Sequence, residues 1–138
     1  MNLEKSFITI DEAEKEEGEI FFFDTYAFYE IIKENQYYAK YLTKKIVTSK
    51  LNLFELTFIF LKENNFDLAL SSLDSYYPFV NDFDREVIIA AARLKKNLNK
   101  RDVSMTDCVG YVMAKQLGIK FLTGDSAFVS MENVEFVR

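Results

Sequence analysis

Four carboxylates stand where the sequence pattern gives them chemistry. Asp24 directly follows the apolar run IFFF at 20–23, and Asp125 follows the segment KFLTG. Glu55 falls among Leu51, Phe54, Phe58 and Ile59, so helical spacing puts a carboxylate beside or within an apolar stripe, where it needs a partner. Asp107 lies three residues after Ser104, in Ser-Met-Thr-Asp. Each has an ordinary structural explanation as well. Asp24 and Asp125 suit helix N-caps, Glu55 could reach water from the edge of its stripe, and Asp107 fits a capping box with Ser104.

Convergence changes the chemistry. Four carboxylates with no Lys or Arg between them repel one another and resist ionisation. Divalent cations resolve that conflict, and an all-oxygen ligand set selects hard ions, Mg²⁺ or Mn²⁺, which prefer phosphate oxygens as remaining ligands. An acidic site of this kind suits phosphodiester hydrolysis.

Composition narrows the field. The 138 residues include no histidine, which excludes Ser-His and Cys-His pairs, an imidazole base and His-ligated zinc. Cys108 is the single cysteine, so neither an intrachain disulfide nor a thiolate metal cage exists, and a reducing, cytoplasmic location is expected. The four glycines, at 18, 110, 118 and 124, form no phosphate-cradling loop. No apolar run approaches the roughly 18 residues of a membrane helix, and the opening MNLEKS does not read as a signal peptide. No membrane partner is expected.

The elements that must position the acids follow from periodicity. IFFF is a short unbroken apolar run, as expected of a strand covered on both faces, and the helical TYAFYEIIKEN follows it. Further strands are expected at 46–48, 120–123 and 134–137, with YYPFV as a strand or loop. Helices are expected after 48, over 66–73, over 84–98 and from Ser104 to a C-cap at Gly118. Strands alternating with amphipathic helices predict an α/β fold, a three-layer sandwich around a mostly parallel five-stranded sheet. Ligands bind such sheets beyond the carboxyl ends of the strands, which is where Asp24 and Asp125 fall.

Charge is unevenly placed. Residues 1–19 hold seven acids and two bases and carry the whole net charge of -5, so they read as an acidic N-terminal extension to a main domain at 20–138. Within the main domain, RLKKNLNKR at 93–101 gathers Arg93, Lys95, Lys96, Lys100 and Arg101 without an acid. Such a run either complements a helix C-terminus or tracks a nucleic-acid backbone.

Three stretches resemble the PIN-domain family, particularly its VapC-type toxin ribonucleases and their archaeal relatives: FFFDTYAFYEII, VTSKLNLFELTFIFL and SMTDCVGYVMAKQLGIKFLTGDSAFVSMENVEFVR. Asp24, Glu55, Asp107 and Asp125 fall at the motif positions in order. The resemblance implies a sheet order of 3-2-1-4-5, Mg²⁺- or Mn²⁺-dependent cleavage of RNA by those four acids, and often a homodimer held by an antitoxin protein. Thr25 and Thr123 are then expected to orient the metal-binding carboxylates by hydrogen bonds. The alternative is a catalytically silent PIN-like module that binds RNA or protein. A phosphatase or phospho-receiver fits less well, because Tyr26 stands where the phosphatase pattern wants a second Asp.

Overall fold

The computed structural model describes residues 19–98 and 102–137. The expected strand at Phe7–Ile10, nearly all of the acidic extension, and Lys100 and Arg101 lie outside the described residues.

Four parallel strands build the centre: β1 (Ile20–Phe23), β2 (Lys45–Val47), β3 (Lys120–Thr123) and β4 (Val134–Phe136), in the order β2-β1-β3-β4. Five helices flank them: α1 (Thr25–Ile32), α2 (Lys50–Lys62), α3 (Phe66–Tyr76), α4 (Arg85–Asn97) and α5 (Met105–Leu117). The uniformly apolar β1 follows from its two covered faces. Phe22 joins Phe121, Val87, Cys108 and Met113 in one core, whereas Phe21 and Phe23 join Phe28, Leu53, Leu56 and Phe60 in the other. Period-2 alternation thus feeds two cores from one strand, and the class is a three-layer α/β sandwich.

Among the described residues the sheet has four strands, not five. Pro78 offers no backbone N–H and stands in a 3₁₀ turn at Tyr77–Phe79, so YYPFV contributes only a single parallel bridge from Val80 to Thr48. The Thr48 amide donates to the Phe79 carbonyl at 3.1 Å and the Asn81 amide to the Thr48 carbonyl at 2.9 Å. This bridge occupies the place beside β2 that a third strand of order 3-2-1-4-5 would fill.

The rotation of α2 also departs from the apolar periodicity. Asn52, Leu53, Leu56 and Phe60 are its buried residues, while Phe54 is 74% exposed and Phe58 53% exposed. The helix is apolar almost all round, so hydrophobicity alone leaves its rotation open. Asn52 decides it: the buried amide is satisfied only where Ser49 and Thr25 meet it.

Helix α5 lies close against the sheet because Gly110 has no side chain. A Cβ there would meet Phe22 Cε1 at 2.8 Å and Phe121 Cε1 at 3.0 Å, both in packed rings. Gly110→Ala is therefore expected to destabilise by about 1–2 kcal/mol in urea unfolding, overpacking outweighing the gain in helix propensity. A more stable variant would show that the rings yield freely. At the other end, Gly118 closes α5 in the left-handed conformation (φ 73°).

Among the described residues, no helix is long and apolar enough to cross a membrane.

Candidate functional site

Each acid reaches the carboxyl edge of the sheet by its own local route. Asp24 leaves β1 and caps α1, its Oδ1 accepting from the Ala27 amide at 2.6 Å. Asp125 leaves the end of β3 and caps the 3₁₀ turn Ser126–Phe128, accepting from the Ala127 amide at 2.9 Å. Asp107 stands in the first turn of α5, whose N-cap Ser104 Oγ accepts from the Asp107 amide at 3.0 Å. The capping explanations hold, and they coexist with a shared location. Asp24, Glu55, Asp107 and Asp125 all line one cleft of about 840 Å³.

Glu55 reaches the cleft through a buried polar chain. Ser49 Oγ donates to Asn52 Oδ1 at 2.6 Å, Asn52 Nδ2 to Thr25 Oγ1 at 3.2 Å, and Thr25 Oγ1 to Glu55 Oε1 at 2.6 Å. Ser49, Asn52 and Thr25 are essentially inaccessible to water, so the hydroxyl that meets Glu55 has few alternative orientations. Thr123 works at the other wall. Its buried hydroxyl is hydrogen-bonded to the Asp24 carboxylate and accepts from the Asp125 amide at 3.1 Å.

The electrostatics record the crowding. Burial pushes the Asp24 carboxyl up to about 7, and the negative charges of Asp107 and Asp125 add to the rise against the opposing hydrogen bonds from Thr123 and Ala27. Asp107 is raised to about 6, by burial first and then by Glu55 and Asp125. Burial, followed by the nearby Asp24 and Glu30, raises the phenol of Tyr38 on the same wall. Among the described residues, six carboxylates and one ammonium, that of Lys62, line the cleft.

A divalent cation suits this donor set in kind: oxygen-only, hard, and charged beyond what neighbouring cations offset. The spacing is looser. Among the described residues no group of three or more acidic side chains stands at ion-holding distances.

Two acids of the cleft escaped sequence reasoning, Glu30 and Asp102. Glu30 was legible, since it follows Tyr26 by one helical turn on α1; Asp102 sits in the segment before α5, where no periodicity points. Of the basic run, Arg93, Lys95 and Lys96 fall within the described residues. Lys95 Nζ donates to the Val103 carbonyl at 2.8 Å, Arg93 lines a separate groove between α4 and α5, Lys96 is exposed, and none of the three lines the cleft.

The PIN domain family model matches residues 21–134, and the chain belongs to that family. PIN domains are generally nucleases. The fold is shared with a toxin-antitoxin complex from Klebsiella pneumoniae, at a TM-score of 0.65 and 13% identity over 83% of this chain and 94% of that chain. It is shared equally with VapBC2 from Rickettsia felis bound to a DNA fragment from its promoter, at a TM-score of 0.66 and 20% identity over 86% of this chain and 99% of that one. No curated protein sequence matches the chain.

Proposed function

We propose that this PIN domain is a Mg²⁺- or Mn²⁺-dependent endoribonuclease whose site is Asp24, Glu55, Asp107 and Asp125. The observation that carries the reading is the meeting of four acids from four separate elements in one cleft at the carboxyl edge of the sheet. Asp24, Asp107, Asp125 and Glu55 would hold the cation, with Thr25 and Thr123 fixing the carboxylates they touch. The ion, when bound, supplies Lewis-acid chemistry for hydrolysis of a phosphodiester. The chain's own contribution is position: the strand ends before Asp24 and Asp125, the first turn of α5 and the second turn of α2 hold the acids. Incubation of mixed RNA with the full chain should give cleavage in Mg²⁺ or Mn²⁺ and none in chelator. Metal-independent cleavage, or none under any condition, would remove the reading.

The toxin role is part of the same proposal. The toxin-antitoxin structures that share the fold support an antitoxin partner, and we propose with it a cytoplasmic location and a homodimer. The looser acid spacing favours a second reading, a silent module that binds RNA or protein. The cleavage assay separates the two.

We also take residues 1–19 as an acidic extension to a nuclease domain at 20–138. Deleting residues 1–18 is expected to leave a folded domain with equal or stronger RNA affinity, read by thermal melting and fluorescence anisotropy, because like charges repel the strand. Aggregation of the truncated chain would place Phe7–Ile10 in the fold instead.

A further inference from the structure

The cleft carries three side chains that neither the cores nor the acids employ. Tyr26 is 59% exposed and Phe58 is 53% exposed, and both line the cleft beside the exposed Lys62. We infer that Tyr26, Phe58 and Lys62 form a subsite for single-stranded nucleic acid, the two rings stacking unpaired bases and the ammonium pairing with a backbone phosphate. The inference rests on the nuclease reading only in taking nucleic acid as the ligand of the cleft.

Geometry supports each part. Glu55, Phe58, Ile59 and Lys62 follow one another on a single face of α2, and all four line the cleft, so the ring and the ammonium stand on the same wall as a candidate metal ligand. Lys62 Nζ lies 5.3 Å from the centroid of the Phe58 ring, which joins a stacking surface to a positive charge. Among the described residues it is also the one cation of a lining that holds six carboxylates. Tyr26, on α1, also lines the cleft and stands two residues beyond Asp24.

Tyr29, on the same helix, shows what a tied ring looks like. Its hydroxyl donates to Glu63 Oε2 at 2.7 Å and its ring stacks on Phe60 at 5.6 Å between centroids. Tyr26 packs edge-on to Tyr29, 6.0 Å between centroids, while more than half of it stays in solvent. Open rings flanking a site for phosphodiesters accept bases of any sequence, provided the bases are unpaired. A protein segment would more naturally cover the outer ridge of α2, where Phe54 is 74% exposed, than the charged cleft wall.

The test uses the full chain in chelator at low salt, so that no strand is cut. Three labelled probes are titrated by fluorescence anisotropy: an unstructured 12-nucleotide RNA, an abasic strand of the same length and an RNA duplex. The parent is expected to bind the base-bearing strand roughly 10-fold more tightly than the abasic one or the duplex. Tyr26→Ala and Phe58→Ala should each lower affinity for the base-bearing strand by about 5- to 10-fold and leave the abasic strand unaffected, with Phe58→Trp restoring binding. Lys62→Ala should weaken both single strands and reduce the dependence of log K on log salt by about 0.7. Because all three side chains are exposed, melting temperatures should stay near the parent's.

Equal binding of base-bearing and abasic strands by the parent overturns the inference. So do ring variants that bind every probe as the parent does, and ring variants that instead change the chain's sedimentation, which would assign the rings to a protein surface. Base-dependent binding without cleavage in Mg²⁺ or Mn²⁺ would sink the nuclease reading and leave this subsite standing. Cleavage without base-dependent binding would do the reverse.

Discussion

Asp24→Asn is expected to lower RNA cleavage at least about 10-fold while making the metal-free protein more stable at neutral and alkaline pH. The substitution keeps the side chain's shape and its cap on the Ala27 amide but removes one charge from the crowded cleft. In the folded chain the Asp24 carboxyl titrates near 7, against an ordinary value of 3.8. Between those values the folded chain still holds a proton that the unfolded chain has released, so stability falls as pH rises through that window and the loss is complete above it. For a group this buried the loss is up to about 4 kcal/mol, with Asp107 adding a smaller fall that ends near pH 6. Asp24→Asn lacks the Asp24 part of that loss. Thermal melts without metal should therefore show the variant gaining on the parent from pH 5 to pH 8, and Mn²⁺ should restore the parent far more than the variant. A variant much less stable at every pH would mean that Asp24 acts only as a helix cap.

Asn52→Leu is expected to be the most damaging change outside the acids. It removes an amide that accepts from Ser49 and donates to Thr25, and so leaves two buried hydroxyls without that partner. A cost of about 2–4 kcal/mol in urea unfolding follows. Cleavage should fall by roughly 10- to 100-fold even below the melting temperature, because the Thr25 hydroxyl that meets Glu55 loses its orientation. Thr25→Ser keeps a hydroxyl in place and should retain most activity, whereas Thr25→Val should resemble Asn52→Leu. Equal cleavage by Thr25→Val and the parent would show that Glu55 needs no support from this chain.

The strand ends were the most legible part of the molecule. IFFF before Asp24 and KFLTG before Asp125 read as buried parallel strands because every position of IFFF is covered on one face or the other. Helix α5 was equally plain, since Ser104 and Gly118 mark its two ends with side-chain and backbone chemistry that neighbours in space do not alter. The rotation of α2 was not legible. Its apolar residues run almost all round, and the deciding contact joins Asn52 to Thr25, 27 residues away. The third strand failed for a local reason, Pro78, which the apolar character of YYPFV masks. Phe58 reads as part of an apolar stripe by its spacing, whereas the fold leaves it on the cleft. Exposure depends on what packs opposite, and spacing along one helix carries no record of that.

The central claim is that the four acids hold a divalent cation, and anomalous diffraction from Mn²⁺-soaked crystals tests it most directly. The account predicts a manganese peak in the cleft within about 2.3 Å of carboxylate oxygens of Asp24 and at least one of Asp107, Asp125 and Glu55, absent from Asp24→Asn crystals treated alike. A cleft that stays empty at saturating Mn²⁺, or manganese bound only elsewhere on the surface, would contradict it.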